Sequence, residues 1–177
     1  MVAETLAPPK FRGNRILMVS GNMWFYRPDL SKPVPISRRQ RLLGQAAYGD
    51  LASTNYAKDY NATPLGEEDV DGETCYVFDL KSIDKRATYD VIKYWISKSR
   101  LVGVKAEYFT VSGKKLKTGF MRYDSSVKVK GEVRPFISKI TIYDDLLSKD
   151  TVTTLDMVNK GFQKLPDYMF NVDLLRK

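Results

Sequence analysis

Between Asp71 and Tyr108 the chain alternates apolar and polar side chains with the period of two that belongs to an extended strand, and does so three times. Tyr76, Phe78 and Leu80 fall on one parity; Val102, Val104, Ala106 and Tyr108 do the same further on, and Glu73, Asp79, Lys105 and Glu107 take the opposite parity. This pattern predicts half-buried antiparallel strands. Residues 88–96 differ, with Tyr89, Val91 and Trp95 on one parity and Ile92, Tyr94 and Ile96 on the other. Both faces of that strand call for cover, from protein packed on a concave side or from an apolar ligand.

Turn signals divide the rest. Asp71-Gly72 is a two-residue connection that needs positive φ, and Ser20-Gly21-Asn22 and Ser112-Gly113 punctuate two more hairpins. Residues 2–6 read as a strand stopped by Pro8 and Pro9, and residues 33–36 as an edge or an irregular segment because prolines cannot donate to a ladder. Strands are also expected at 15–19, 23–26, 56–61, 66–70, 115–123, 133–143 and, after the turn Ser148-Lys149-Asp150, at 151–158. Leu42, Leu43, Ala46, Ala47 and Leu51 make residues 38–51 the best helix candidate, and residues 165–170 suggest one closing helical turn. The sum is a mainly β (α+β) chain, an antiparallel meander curled around a helix, in one domain over residues 1–177.

Composition narrows the chemistry. At 177 residues the chain buries roughly two-thirds of its unfolded surface without a staple. It has no histidine, which removes the commonest general base, the Ser-His and Cys-His pairs and most transition-metal sites. The single Cys75 reads as a buried, inert thiol. No nucleophile elbow, phosphate loop or dinucleotide turn is present, and the carboxylates at 67–71 and 144–145 read as solvated edges. Catalytic residues, cofactors and a metal site are therefore not expected.

A net charge of +8 raises the question of anionic partners. Only Arg38-Arg39-Gln40-Arg41 and Lys114-Lys115-Leu116-Lys117 are dense. The second run reads as a solvated hairpin tip, and the first as the start of an amphipathic segment suited to transient contact with a phospholipid surface. Charge this scattered does not point to nucleic acid. No window reaches the roughly 20 apolar residues of a membrane span, and no secretory leader opens the chain.

The stretch Ser20-Gly21-Asn22-Met23-Trp24-Phe25-Tyr26, then Pro35-Ile36-Ser37-Arg38-Arg39-Gln40-Arg41-Leu42-Leu43-Gly44-Gln45, then Asp71-Gly72-Glu73-Thr74-Cys75-Tyr76-Val77, Tyr94-Trp95-Ile96 and Ala106-Glu107-Tyr108-Phe109 resemble, in this order, the outer-membrane lipoprotein-sorting proteins, relatives of LolA and LolB. The resemblance implies a strongly curved antiparallel sheet, an open half-barrel with one or two short helices over its concave face. It also implies a periplasmic carrier of the Gram-negative envelope that binds acyl chains of lipoproteins or other lipids, with an inner-membrane transporter or outer-membrane acceptor as partner. The family's leader, first helix and first strands have no counterpart here, so an open sheet edge and dimerisation through it are expected. A lipid-sensing regulatory domain of the same fold is the alternative.

Taking a twelve-carbon chain out of water is worth on the order of 10 kcal/mol, so a dry hollow suffices without catalysis. Trp24, Tyr26, Tyr76, Phe78, Trp95, Tyr108, Phe120 and Met121 have the character to line it, with Leu42 and Leu43 in a lid over residues 38–51. The competing reading is that these side chains simply fill a core.

Overall fold

Four short strands open the chain: β1 (Val2–Glu4), β2 (Arg15–Val19), β3 (Asn22–Tyr26) and β4 (Val34–Ile36) form a small antiparallel sheet in that order. The computed structural model describes residues 1–51, 55–129, 131–146, 151–159, 161 and 164–175, with the Leu43 side chain outside that set. The turn between β2 and β3 holds Ser20 and Gly21 at φ 49° and 78°, as the Ser-Gly-Asn signal requires. Cross-strand partners Ile16↔Phe25 and Met18↔Met23 give this sheet one apolar face, while Leu17↔Trp24 and Arg15↔Tyr26 lie on the other.

Residues 38–51 depart from the expected helix. They form a short hairpin, β5 (Arg41–Leu43) with β6 (Ala46–Ala47), and become helical only from Tyr48, in α1 (Tyr48–Leu51). The reason is tertiary. Gly44 turns at φ 53° against the Thr153 hydroxyl, which accepts the Gln45 N–H at 2.8 Å and ties the hairpin to the far edge of the main sheet. Residues 56–59 are likewise helical, α2 (Tyr56–Asp59), because Asn55 caps them by accepting the Lys58 N–H.

The main sheet follows: β7 (Tyr60–Val70), β8 (Glu73–Ser82), β9 (Val91–Ser97), β10 (Gly103–Phe109), β11 (Lys115–Arg122), then the separate hairpin β12 (Ser125–Val129) and β13 (Glu132–Phe136), then β14 (Lys139–Asp144) and β15 (Val152–Asp156). Seven of these pair antiparallel in the order β15-β14-β11-β10-β9-β8-β7, leaving β7 and β15 as open edges, so the sheet is not a closed barrel. Asp71 and Gly72 make the β7–β8 turn at φ 50° and 81°. The single strand expected over 133–143 is two, with β12 an unanticipated partner for the first. The break falls at Ser138, whose N–H and hydroxyl both donate to the Arg122 carbonyl and bring the chain back beside β11. Residues 148–150, read as a turn, lie outside the described set. The closing turn is present as two 3-10 segments, Asp167–Phe170 and Val172–Leu174.

The register defines two faces. On the first, partners run Leu80↔Ile92↔Tyr108↔Lys117↔Asp144 and Phe78↔Tyr94↔Ala106↔Gly119↔Ile142↔Thr153. On the second they run Val77↔Trp95↔Lys105↔Phe120↔Thr141↔Thr154. The first face, called inner here, carries the largest core cluster, centred on Tyr60, Leu80, Tyr89, Ile92, Ala106 and Tyr108. Val102 and Val104, expected beside Ala106 and Tyr108, pack on the outer face with Cys75, Val77 and Trp95 instead. A register shift between Gly103 and Lys105 reverses the parity at that point.

Candidate functional site: an apolar cavity on the inner face

Between the inner face of the main sheet, α1, α2 and the end of β13 lies a cavity of about 480 Å3. Its sheet wall is made by Tyr94, Tyr108, Met121, Ile140 and Ile142, its roof by Gly49, Asp50, Leu51 and Tyr56, and its far end by Pro135, Phe136 and Ile137. The volume falls within the roughly 300–1,000 Å3 of small-molecule sites. Small residues make room for the rings. The Tyr108 ring rests on Gly119, where a Cβ would come within 3.4 Å of it, and a Cβ on Gly103 would overlap the Tyr94 phenol.

The aromatic wall is interlocked. Tyr56 meets Tyr94 edge-on at 4.9 Å and Tyr60 at 5.6 Å, and Tyr89 lies 4.2 Å from Tyr108. Several of the hydroxyls already have protein partners: Tyr60 donates to the Tyr89 carbonyl, Tyr89 to Asp50 and Tyr123 to the Gly103 carbonyl. The wall therefore presents largely ring surface. Burial pushes the Tyr60 phenol up to about 12, and burial foremost raises Tyr94, Tyr89 and Tyr108 as well, the Asp50 charge adding to the last two. All four stay neutral at any physiological pH.

One ion pair sits against this wall. Lys117 Nζ donates to Asp50 Oδ2 at 2.7 Å and to the Gln45 carbonyl at 2.8 Å, and lies over the Tyr89 and Tyr108 rings at 4.9 and 5.5 Å. Asp50 also accepts the Ala47 N–H, so α1 is fastened to β11 through a pair whose side chains are each 9% exposed. Lys117 belongs to the run read as a solvated hairpin tip; it is instead a buried strand residue. The other basic run is also largely committed inward. Arg38 donates to the Arg86 carbonyl, and Arg39 to the Ala87 carbonyl and both Asp90 oxygens, leaving Arg41 exposed.

Of the expected lining residues, Tyr108 and Met121 line the cavity, and Phe78 packs into the core cluster beside it. Tyr76 is on the inner parity but 39% exposed beneath Lys98, beyond the cavity. Trp95 is on the outer face, 1% exposed, covered by the ammonium groups of Lys105 at 4.2 Å and Lys93 at 4.7 Å, with its indole N–H donated to Glu68. Phe120 is also on the outer face, edge-on to Tyr143. Trp24 and Tyr26 lie in the small sheet on the face shared with Leu17 and Arg15, the latter bonded to the Leu175 carbonyl. Leu42 packs with Ile16, Met23 and Tyr48, and the Leu43 side chain lies outside the described set. Tyr56, Tyr94, Asp50, Ile140, Ile142 and the 135–137 stretch were missed. Tyr94 was findable, since it shares the parity of Ile92 and stands opposite Phe78.

Over residues 1–177 the chain matches a family described as "Uncharacterized protein". No curated protein matches it in sequence. Solved structures do. A LolA superfamily protein from Nitrosomonas europaea is 36% identical, with a TM-score of 0.82 over 96% of this chain and 75% of that one. A putative outer membrane lipoprotein-sorting protein domain from Vibrio parahaemolyticus superposes with a TM-score of 0.83 at 19% identity, covering 99% of this chain and 77% of that one. A DUF1329 family protein from Desulfovibrio piger gives 0.73 at 19% identity, over 98% and 75% of the two chains. The last two bear on the fold alone.

Proposed function

This chain belongs to the LolA superfamily, and from that premise we propose that it is a non-catalytic carrier, working in the periplasm, that shelters acyl chains of lipoproteins or other lipids in its inner-face cavity. The observation that carries the reading is the cavity itself: about 480 Å3, walled by tyrosine rings, Met121, Ile140, Ile142 and Phe136, and roofed by short elements. Burying hydrocarbon there releases about 0.8 kcal/mol per methylene, and handing it on needs only that the roof part from the sheet. The described part of the roof is held by a few separable contacts, Asp50 of α1 on Lys117 and the Tyr56 ring of α2 on Tyr94 and Tyr60. The +8 charge suits brief contact with anionic membrane surfaces during loading and delivery.

Displacement of a fluorescent fatty-acid probe by dodecanol, with native mass spectrometry of the purified protein, tests the proposal. Saturable one-to-one binding supports it. A protein that takes up neither probe nor alkyl chain at concentrations below micelle formation overturns it.

A further inference from the structure

A second hollow of about 740 Å3 runs over the outer face of β11, β14 and β15, floored by Phe120, Thr141 and Thr154. Met121 and Tyr123 line both hollows, so the two share a wall where β11 ends. The chemistry changes across that wall. On the inner side are mostly rings and aliphatic side chains; on the outer side stand the cations Arg100, Arg122 and Lys139 together with the acids Asp71, Glu73 and Asp124.

Arg122 and Lys139 are direct cross-strand partners in the antiparallel register. Like charges placed opposite one another destabilise a sheet unless something lies between or beside them. Lys139 is offset by Asp156 at 3.3 Å, whereas no ion pair is found for Arg122 among the described residues. Of the three acids that line this hollow, Asp71 sits in the β7–β8 turn with no ion pair among the described residues, and the other two have partners. Glu73 is held by Arg100, Ser97 and Ser99, and Asp124 accepts the Ser138 hydroxyl at 2.9 Å. An unpaired guanidinium facing a lysine across the strand, at the border of an apolar cavity, is the arrangement that an anionic oxygen cluster would complete.

We infer that the carried lipid is an amphiphile with an anionic head, its tail in the inner cavity and its carboxylate or phosphate on Arg122 and Lys139 in the outer groove. This rests on the reading of the cavity as an acyl-chain site. It adds a polar subsite that selects charged lipids over neutral ones of equal length.

Titration of the full chain with dodecanoate, dodecyl phosphate and dodecanol, each below its micelle concentration, tests it. The native protein should bind the two anions about tenfold more tightly than the alcohol. In Arg122→Gln combined with Lys139→Gln, both anions should fall to the level of the alcohol while dodecanol affinity stays unchanged, which also reports that the fold is intact. The stronger of the two anions in the native protein identifies carboxylate or phosphate as the preferred head. Equal affinity for the alcohol and both anions, or anion binding unchanged in the double variant, overturns the inference and leaves the cavity reading standing. Failure of dodecanol to bind overturns both.

Discussion

Lys117 reaches across from β11 to place its ammonium 2.7 Å from the Asp50 carboxylate of α1, with both side chains almost closed to water. A buried pair of this kind adds little net stability over an apolar alternative, yet removing one partner strands the other charge. Lys117→Met should therefore cost about 3–5 kcal/mol in urea unfolding. Lys115→Met, two residues away in a half-exposed pair with Glu107, should cost less than about 1 kcal/mol.

The cavity assignment separates residues that look alike in the sequence. Met121→Trp fills the space beside Ile140 and should abolish dodecanol binding at a stability cost of about 1–3 kcal/mol. Trp24→Ala removes a larger aromatic from the small sheet and should leave alkyl-chain affinity unchanged, whatever stability it loses. Probe displacement on the two variants side by side gives the answer.

Gly103 should tolerate no side chain. A methyl group there would occupy the position of the Tyr94 phenol, so Gly103→Ala must push that ring toward Tyr56 or bend β10 at its register shift. The expected result is a loss of about 1–3 kcal/mol together with weakened alkyl-chain binding, read by thermal unfolding and probe displacement.

In the turn just before Gly103, Arg100 holds the Glu73 carboxyl down to about 2 from its usual 4.5, with the Ser97 hydroxyl assisting. A carboxyl depressed on folding adds stability that is complete above its unfolded value and disappears as pH falls toward the folded one. Between pH 4.5 and 2 the native protein should accordingly lose more stability than Glu73→Gln, and the two unfolding curves should converge toward the acid end of that range. A constant gap across the range would contradict the assignment.

Much of this architecture is legible from alternation and turn chemistry. The Asp71-Gly72 and Ser20-Gly21 hairpins, the edge position of residues 34–36 and the two-sided burial of β9 all follow from local rules. Site residues were harder to place for identifiable reasons. Parity tells which side chains share a face and not which face is covered. Trp95, the most conspicuous aromatic, is satisfied by Lys93 on its own strand, Lys105 from β10 and Glu68 from β7. The shift at Gly103 reverses parity within one strand, so Val104 and Ala106 part company. Residues 38–51 carry helix-compatible spacing, but Gly44 and the Thr153 hydroxyl impose a hairpin through a contact more than 100 residues distant in sequence. Lys117 reads as solvent-facing because its partner, Asp50, lies 67 residues away.

The central claim is that hydrocarbon occupies the space between Tyr108, Met121, Ile140 and Phe136. A crystal grown with 12-bromododecanol measures this directly through the anomalous signal of bromine. The account predicts one strong peak inside that space, with the alkyl chain traceable from it. A cavity that stays empty, or bromine found only on the outer surface, would contradict it.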